Sequence, residues 1–209
     1  MPYPSKTNAQ TILHEAVRQV ECSGLPNLNM RALAARLDIT PRALYRYFPD
    51  RTALETAIAE ARLHRLSQDI ERSIRKKKGR DALVASAQAY LGFARSSRHL
   101  YAVTMMELRE TESLARAGHA LWALVVGHAE ILTGPSLAQQ AALALWAFLH
   151  GFAQLEEKLG KAKPKDGFNV GLEGLLSGLT GMGGGDKAKS AADRSRATHS
   201  AHSSKRRFR

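Results

Sequence analysis

The sequence has a single cysteine, Cys22, among its 209 residues, and only 6% of the residues are aromatic. One cysteine excludes an internal disulfide and any metal site built from several cysteines, which fits a reducing compartment. Long hydrophobic runs are missing as well. The longest, Ala141 to Leu149, is far too short to span a bilayer, and the first ten residues hold no apolar stretch of signal-peptide length. We therefore expect a cytoplasmic protein with no membrane segment.

Acidic residues are scarce relative to basic ones. The chain has 31 Lys and Arg against 19 Asp and Glu, and its net charge of +12 favours a polyanionic partner such as nucleic acid or acidic lipid. The excess is uneven, because residues 1–80 carry a net charge of +7, residues 81–185 of −1 and residues 186–209 of +6. Charge alone does not choose between the two kinds of partner.

Strand-like alternation of polar and apolar residues is also nearly absent. Hydrophobic residues make up 44% of the chain and recur at helical spacing along most of it, which predicts an all-α fold with a substantial core. After Gly181 the chain is rich in Gly, Ser and Ala and almost lacks large aliphatic side chains. Such a segment cannot offset the entropy lost on ordering, so we predict a disordered basic tail.

Three helices are predicted near the N-terminus. The first covers residues 8–23 with one apolar stripe, and a glycine ends it. Asn29 is the expected N-cap of a short second helix whose apolar face ends at Leu37. Residues 38–40 form a tight turn, and Thr40 caps the third helix. Pro41 then opens that helix, where a missing N–H group costs nothing.

The third helix has two distinct faces when its residues are placed about 100° apart. Leu44 and Phe48 point together toward a core. The opposite face and its flanks carry Arg42, Ala43 and Arg46, with Tyr45 and Tyr47 at the edges. Arginine can bridge guanine O6 and N7 in the major groove, and phenols reach phosphates. The pattern favours a DNA recognition helix, and an ordinary solvated helix face is the alternative.

A fourth helix is expected to begin immediately afterwards, with Asp50 as its cap and Arg51 as its first residue. Free N–H groups at a helix start attract anions, and an adjacent arginine adds to this attraction. The site lies two residues beyond the recognition helix. It is a candidate phosphate contact, with a plain surface charge as the alternative.

Residues 30–58, MRALAARLDITPRALYRYFPDRTALETAI, resemble the DNA-binding domain of TetR-family repressors. The resemblance includes the Ile39-Thr40 turn, the Leu44-Tyr45-x-Tyr47-Phe48 core and the capped fourth helix. It implies that Arg42 and Ala43 face bases and that Arg46 contacts bases or backbone. The remaining residues of the implied DNA-binding set are Asn29, Thr40, Tyr45, Tyr47 and Arg51 at the phosphate backbone, together with Arg31.

The second half resembles the ligand-binding and dimerisation domain of the same family. The segment LWAFLHGFAQLEE, with Trp146, His150 and Gly151, is similar to the branch that carries a Trp-His-Gly signature. The likeness implies a homodimeric repressor that a small-molecule effector releases from a palindromic double-stranded DNA operator. No cofactor and no metal are expected. The implied division is a helix-turn-helix domain over 1–55, a connecting helix over 56–80, a ligand-binding and dimerisation domain over 81–182 and the tail over 183–209.

Two features of this second domain carry expectations of their own. The stretch AALALWAFLHGFA is apolar around its whole circumference, so it should pack on its own domain and on a second subunit, with FNVGLEGLLSGL completing a four-helix interface. Large, soft side chains suit an apolar effector pocket. The candidates are Tyr90, Phe93, Tyr101, Met105, Trp122, Trp146 and His150. Simple core filling is the alternative for most of them.

Two other function classes compete with a specific regulator. A non-specific architectural protein would bind nucleic acid through its basic tail and the run RKKK, with little sequence preference. An enzyme would need a nucleophile with its base, paired carboxylates, a metal cluster or a phosphate loop, and the sequence offers none of these arrangements. We therefore expect a DNA-binding regulator that is not an enzyme.

Overall fold

A computed structural model describes residues 7–96, 98–105, 111–160 and 166–183. The predicted tail falls almost entirely outside these residues. Helices make up nearly all of the described chain and none of its residues forms a strand, so the all-α prediction is confirmed. The helices are α1 Ala9–Ser23, α2 Met30–Arg36, α3 Pro41–Tyr45, α4 Arg51–Ile74, α5 Gly79–Ser96, α6 Arg98–Thr104, α7 Glu112–Thr133, α8 Ala138–Leu159 and α9 over 167–183, with a short 3-10 turn at Leu25–Asn27.

Side-chain caps begin the first four helices, three of them as the sequence predicts. The Asn29 side chain accepts hydrogen bonds from the first-turn N–H groups of α2, and Thr40 Oγ1 accepts from Ala43 N at 3.2 Å in α3. Asp50 Oδ1 accepts from Ala53 N at 2.6 Å at the start of α4. Asn8 caps α1 in the same way. The N-caps predicted at Asn29, Thr40 and Asp50 are therefore confirmed.

The described chain packs as two compact units. The first lies within residues 1–73 and 88–121, and the second within residues 74–87 and 122–209. The described residues between 88 and 121 thus pack with the N-terminal helices, although the sequence assigns them to the second functional domain. A packing unit and a functional domain are different divisions of a chain, and the functional division stays a prediction.

One hydrophobic core holds the first unit together. Its fully buried members larger than alanine come from α1, α2, α3 and α4, and α6 adds two more from far along the chain: Ile12, Val20, Leu33, Leu44, Leu54, Ile58, Leu100 and Val103. Burying an aliphatic side chain of this size contributes about 1.5–3 kcal/mol. Leu100 and Val103 therefore make α6 a structural part of the helix-turn-helix core.

Three phenylalanine rings pack against one another between α8 and α9 in the second unit. The Phe148 ring lies 5.9 Å from that of Phe152 and 5.8 Å from that of Phe168, centroid to centroid. Gly171 lets α9 come close to this group, because a Cβ atom there would stand 2.6 Å from Phe148 Cε2. The contact is far shorter than real side chains show, so a side chain at this position would require the Phe148 ring to move.

No single helix of the described chain is long and apolar enough to cross a membrane. Only α7 and α8 taken together pass that test, and a bend of 115° separates them.

Candidate nucleic-acid interface

The α2–turn–α3 segment owes its geometry to one left-handed residue. Asp38 has φ of +52°, a conformation that short polar side chains tolerate better than most. The next residue, Ile39, donates its N–H to the Ala34 carbonyl at 3.0 Å, which closes the end of α2. Thr40 can then cap α3 immediately after the turn. This arrangement sets α3 against α2 as a helix-turn-helix.

α3 ends at Tyr45, earlier than the spacing predicts, and residues 46 and 47 form a turn, but the predicted inward and outward sides hold across both segments. Leu44 and Phe48 are buried in the core of the first unit, while Arg42, Tyr45 and Arg46 are exposed and Ala43 is half-buried. Arg31 on α2 is exposed too. Across the residues that the structure describes, no carboxylate pairs with these three arginines. Their guanidinium groups are available to an external anion.

Tyr47 has an intramolecular partner that the sequence does not indicate. Its hydroxyl donates to the carbonyl oxygen of Thr7 at 3.1 Å and so ties the segment before α1 to the end of the recognition region. The Tyr47 hydroxyl can donate to a phosphate only after its hydrogen bond to Thr7 is broken. The ring edge remains partly exposed. A role at the DNA backbone stays a prediction, and a positioning role now stands beside it.

Arg51 is also engaged within the protein. Its Nε donates to Glu55 Oε1 at 2.6 Å and its Nη2 to the Leu25 carbonyl at 2.8 Å, which fastens the 3-10 turn to α4. The Asp50 carboxylate already occupies the helix start that was expected to attract phosphate. Three of the five guanidinium N–H groups remain for an outside acceptor. The i, i+4 spacing of Arg51 and Glu55 is the sequence signal for the first of these contacts.

Four of the seven effector candidates meet in the first unit, and we call them the tyrosine cluster: Tyr90, Phe93, Tyr101 and Met105. The Tyr90 and Tyr101 hydroxyls share a hydrogen bond at 3.0 Å, and the Tyr90 oxygen lies 4.0 Å from the Met105 sulfur. The Phe93 and Tyr101 rings meet edge to face at 6.4 Å. Burial and the bond to Tyr101 raise the pKa of Tyr90, and burial raises the pKa of Tyr101. Both phenols therefore stay neutral.

The other three candidates belong to the second unit. Trp122 is on an exposed part of α7, and Trp146 is 48% exposed on α8. The indole of Trp146 stacks on the half-buried His150 ring, with 5.8 Å between their centroids. Trp122 and Trp146 thus lie on the exposed sides of their helices, although the sequence makes both of them candidates for an effector pocket. A role in effector binding stays a prediction for all seven residues.

Sequence reasoning missed Arg62, which lies on α4. Its Cζ is 4.8 Å from the centre of the Phe93 ring, next to the tyrosine cluster. Burial lowers the pKa of Arg62, and the charges of Glu21 and Asp69 act against this. The signal in the sequence is its spacing, because Arg62 follows the buried Ile58 by four residues and so falls on the apolar stripe of its helix.

The comparisons with known proteins agree with this geometry. A family model described as bacterial regulatory proteins of the tetR family matches residues 12–58, and one described as a tetracyclin repressor-like C-terminal domain matches residues 83–168. The second range contains the Trp-His-Gly segment, although the subgroup itself stays a prediction. A curated relative from Bacillus subtilis, the uncharacterised HTH-type transcriptional regulator YobS, is 24% identical over 80% of this chain and 90% of its own length.

Solved structures show the same fold. A protein of unknown function from Rhodococcus sp. RHA1 is 28% identical with a TM-score of 0.75, over 86% of this chain and 99% of the other. BioQ bound to its double-stranded DNA operator is 21% identical with a TM-score of 0.58, over 84% and 99% of the two chains. A TetR variant from Acinetobacter baumannii AYE in complex with minocycline is 24% identical with a TM-score of 0.61, over 83% and 93%.

The two matched family models together span more than half of the chain, and they fall on the helix-turn-helix and on the helices that follow it. The chain therefore belongs to the TetR family of bacterial transcriptional regulators and carries its DNA-binding domain.

Proposed function

We propose that this protein is a homodimeric repressor that binds a palindromic operator and leaves it when a small molecule binds. The observation that carries the proposal is the outer side of α3 and of the turn after it. Arg42 and Arg46 are exposed there and have no ion-pair partner among the described residues, and the buried Leu44 holds the helix. BioQ, a structural neighbour, is bound to a DNA operator, and TetR, another, to minocycline. Both likenesses support the proposal by analogy. We infer that the protein acts in the cytoplasm, where it has access to operator DNA.

Dimerisation is supported by the outer faces of α8 and α9. Large apolar side chains are left exposed there: Leu143, Trp146, Leu155, Leu159 and Val170. A soluble chain rarely exposes so much apolar surface without a partner. Two copies that meet through these helices form a four-helix interface with two-fold symmetry. A replacement of Trp146 by Asp should give a monomer in sedimentation at micromolar concentration. A dimer that survives this change would contradict the interface.

A dimer explains how a recognition helix this short can be specific. One α3 reads only a few base pairs, and two copies about 34 Å apart enter successive major grooves of an inverted repeat. An effector that favours another spacing leaves only one half-site in reach. The proposal therefore places regulation in the separation of the two α3 helices.

Helix α6 is suited to pass an effector signal to the DNA-binding core. Its Leu100 and Val103 are buried in that core, while Tyr101, between them, belongs to the tyrosine cluster. The His99 ring also lies beside Gly24 at the end of α1. A molecule that displaces Tyr101 would therefore move residues on which α1 packs.

Selection of binding sites from random DNA tests the proposal. The full chain should recover an inverted repeat, and Arg42→Ala should lose about 1–3 kcal/mol of operator affinity and relax one base in each half-site. Arg72→Ala removes the same charge from an exposed position on α4 and is the control. Recovery of no shared sequence, with affinity set by salt alone, would instead support the architectural alternative.

A further inference from the structure

Arg62 differs from the exposed arginines of the first unit because part of its guanidinium is enclosed and unpaired. Its Nε is buried and, within the described part of the chain, has no hydrogen-bond partner. No described carboxylate lies within ion-pair distance of it, and Glu21 and Asp69 act on it only from farther away. Exposed arginines on the same helix, Arg65 and Arg72, both pair with Asp69.

The Nε–H group of Arg62 thus lacks an acceptor. The side chain stays protonated at any physiological pH, so it cannot relieve burial by losing its charge. A buried N–H group without a partner carries most of its desolvation cost. The Phe93 ring, 4.8 Å from Cζ, offsets part of that cost through a cation–π contact. A ring gives the Nε–H group no directed oxygen acceptor, so this group still needs one.

The surroundings of Phe93 indicate what kind of molecule would bring the acceptor. The Tyr101 ring meets Phe93 edge to face, and the paired Tyr90 and Tyr101 hydroxyls and the Met105 sulfur follow. These groups offer apolar and aromatic surface with two neutral hydroxyls. A ligand with one anionic end and an apolar body would satisfy both halves of this region.

We propose that Arg62 binds a carboxylate group of the effector and that the tyrosine cluster holds the effector's apolar body. The proposal rests on the proposed function, since it assigns the chemistry of the molecule that releases the operator. A planar carboxylate with two oxygens matches the guanidinium fork in a bidentate pair. It also refines the expectation from the sequence, which was a largely apolar molecule. Through Arg62 and Tyr101 the ligand would contact α4 and α6, two helices of the DNA-binding core.

Calorimetric titration of matched acids and amides tests this assignment. The probes are 3-phenylpropionate, 4-phenylbutyrate and octanoate, each beside its uncharged amide, with the full-length dimer. We expect each acid that binds to do so at least tenfold more tightly than its amide. The Arg62→Gln variant should lose about ten- to a hundredfold in acid affinity and none for the amide. Arg72→Gln is the matched control, and it should bind as the parent does.

A second variant keeps the test decisive if Arg62→Gln does not fold. Arg62→Lys retains the charge but loses the fork, so we expect acid affinity about tenfold below the parent. Equal affinity for acids and amides, no binding of any acid, or acid binding by Arg62→Lys at the parent's affinity would overturn the proposal.

Operator binding measured in the same samples separates this proposal from the one on which it rests. Acids that bind through Arg62 without changing operator affinity would leave the site intact and refute effector release. Acids that release the operator equally well from the parent and from Arg62→Gln would support effector release and refute the role of Arg62.

Discussion

Replacing Arg51 by Ala separates two roles of one side chain. The structure gives it an ion pair with Glu55 and a hydrogen bond to the Leu25 carbonyl. The exposed i, i+4 pair contributes about 0.3–0.5 kcal/mol, and the charged hydrogen bond contributes about 1 kcal/mol at a partly exposed position. Urea unfolding of Arg51→Ala should therefore show a loss of about 1–2 kcal/mol in the free energy of unfolding.

The second role of Arg51 is a proposed phosphate contact through its remaining N–H groups. Each ionic contact with DNA adds about 0.9 to the slope of log affinity against log salt, so a dimer that loses two contacts should lose about 1.8. Operator titrations from 50 to 200 mM salt measure this slope. Arg51→Lys should restore the slope but not the stability, because an ammonium cannot span both Glu55 and the Leu25 carbonyl. An unchanged slope in Arg51→Ala would refute the phosphate contact and leave the structural role.

Two further changes test single contacts. Tyr47→Phe removes the hydrogen bond to Thr7 and should cost about 1 kcal/mol in the free energy of unfolding. It should also lower the affinity for operator DNA and for scrambled DNA by the same factor. A change in the ratio of these two affinities would contradict a contact with the DNA backbone. Gly171→Ala places a methyl group against the Phe148 ring, and overpacking of about 1–3 kcal/mol should outweigh the roughly 1 kcal/mol gained from helix propensity. Gly92 has open space around it, so Gly92→Ala should instead raise the urea midpoint. A higher midpoint in Gly171→Ala as well would show that the Phe148 ring moves aside at little cost.

Local rules predicted much of the helix-turn-helix. Caps act within a single turn, so Asn29, Thr40 and Asp50 could be identified from residue type and position alone. The faces of α3 followed from helical spacing in the same way. The all-round apolar pattern of α8 predicted contacts on more than one side but not which residues stay exposed, and Trp146, a candidate for the effector pocket, lies exposed.

Contacts between distant segments could not be predicted in this way. Nothing near Leu100 or Val103 in the sequence indicates that they complete a core built from residues 12–59. The bonds from Tyr47 to Thr7 and from Arg51 to Leu25 depend on where the folded chain passes, and a single sequence does not contain that information. The sequence indicated the members of the tyrosine cluster only as separate candidates. They come from α5, from α6 and from Met105 just after α6, and only the fold brings them together.

The bond between Tyr47 and Thr7 has a practical consequence for handling the protein. Thr7 is fixed beside the recognition region, and six residues precede it. Each residue extends the chain by at most about 3.5 Å, so anything fused to Met1 begins within roughly 21 Å of Thr7. An affinity tag at this end would share the space that DNA must enter, and a polyhistidine tag would add its own charge to the salt dependence. An N-terminal tag should therefore be cleaved before operator affinity is measured.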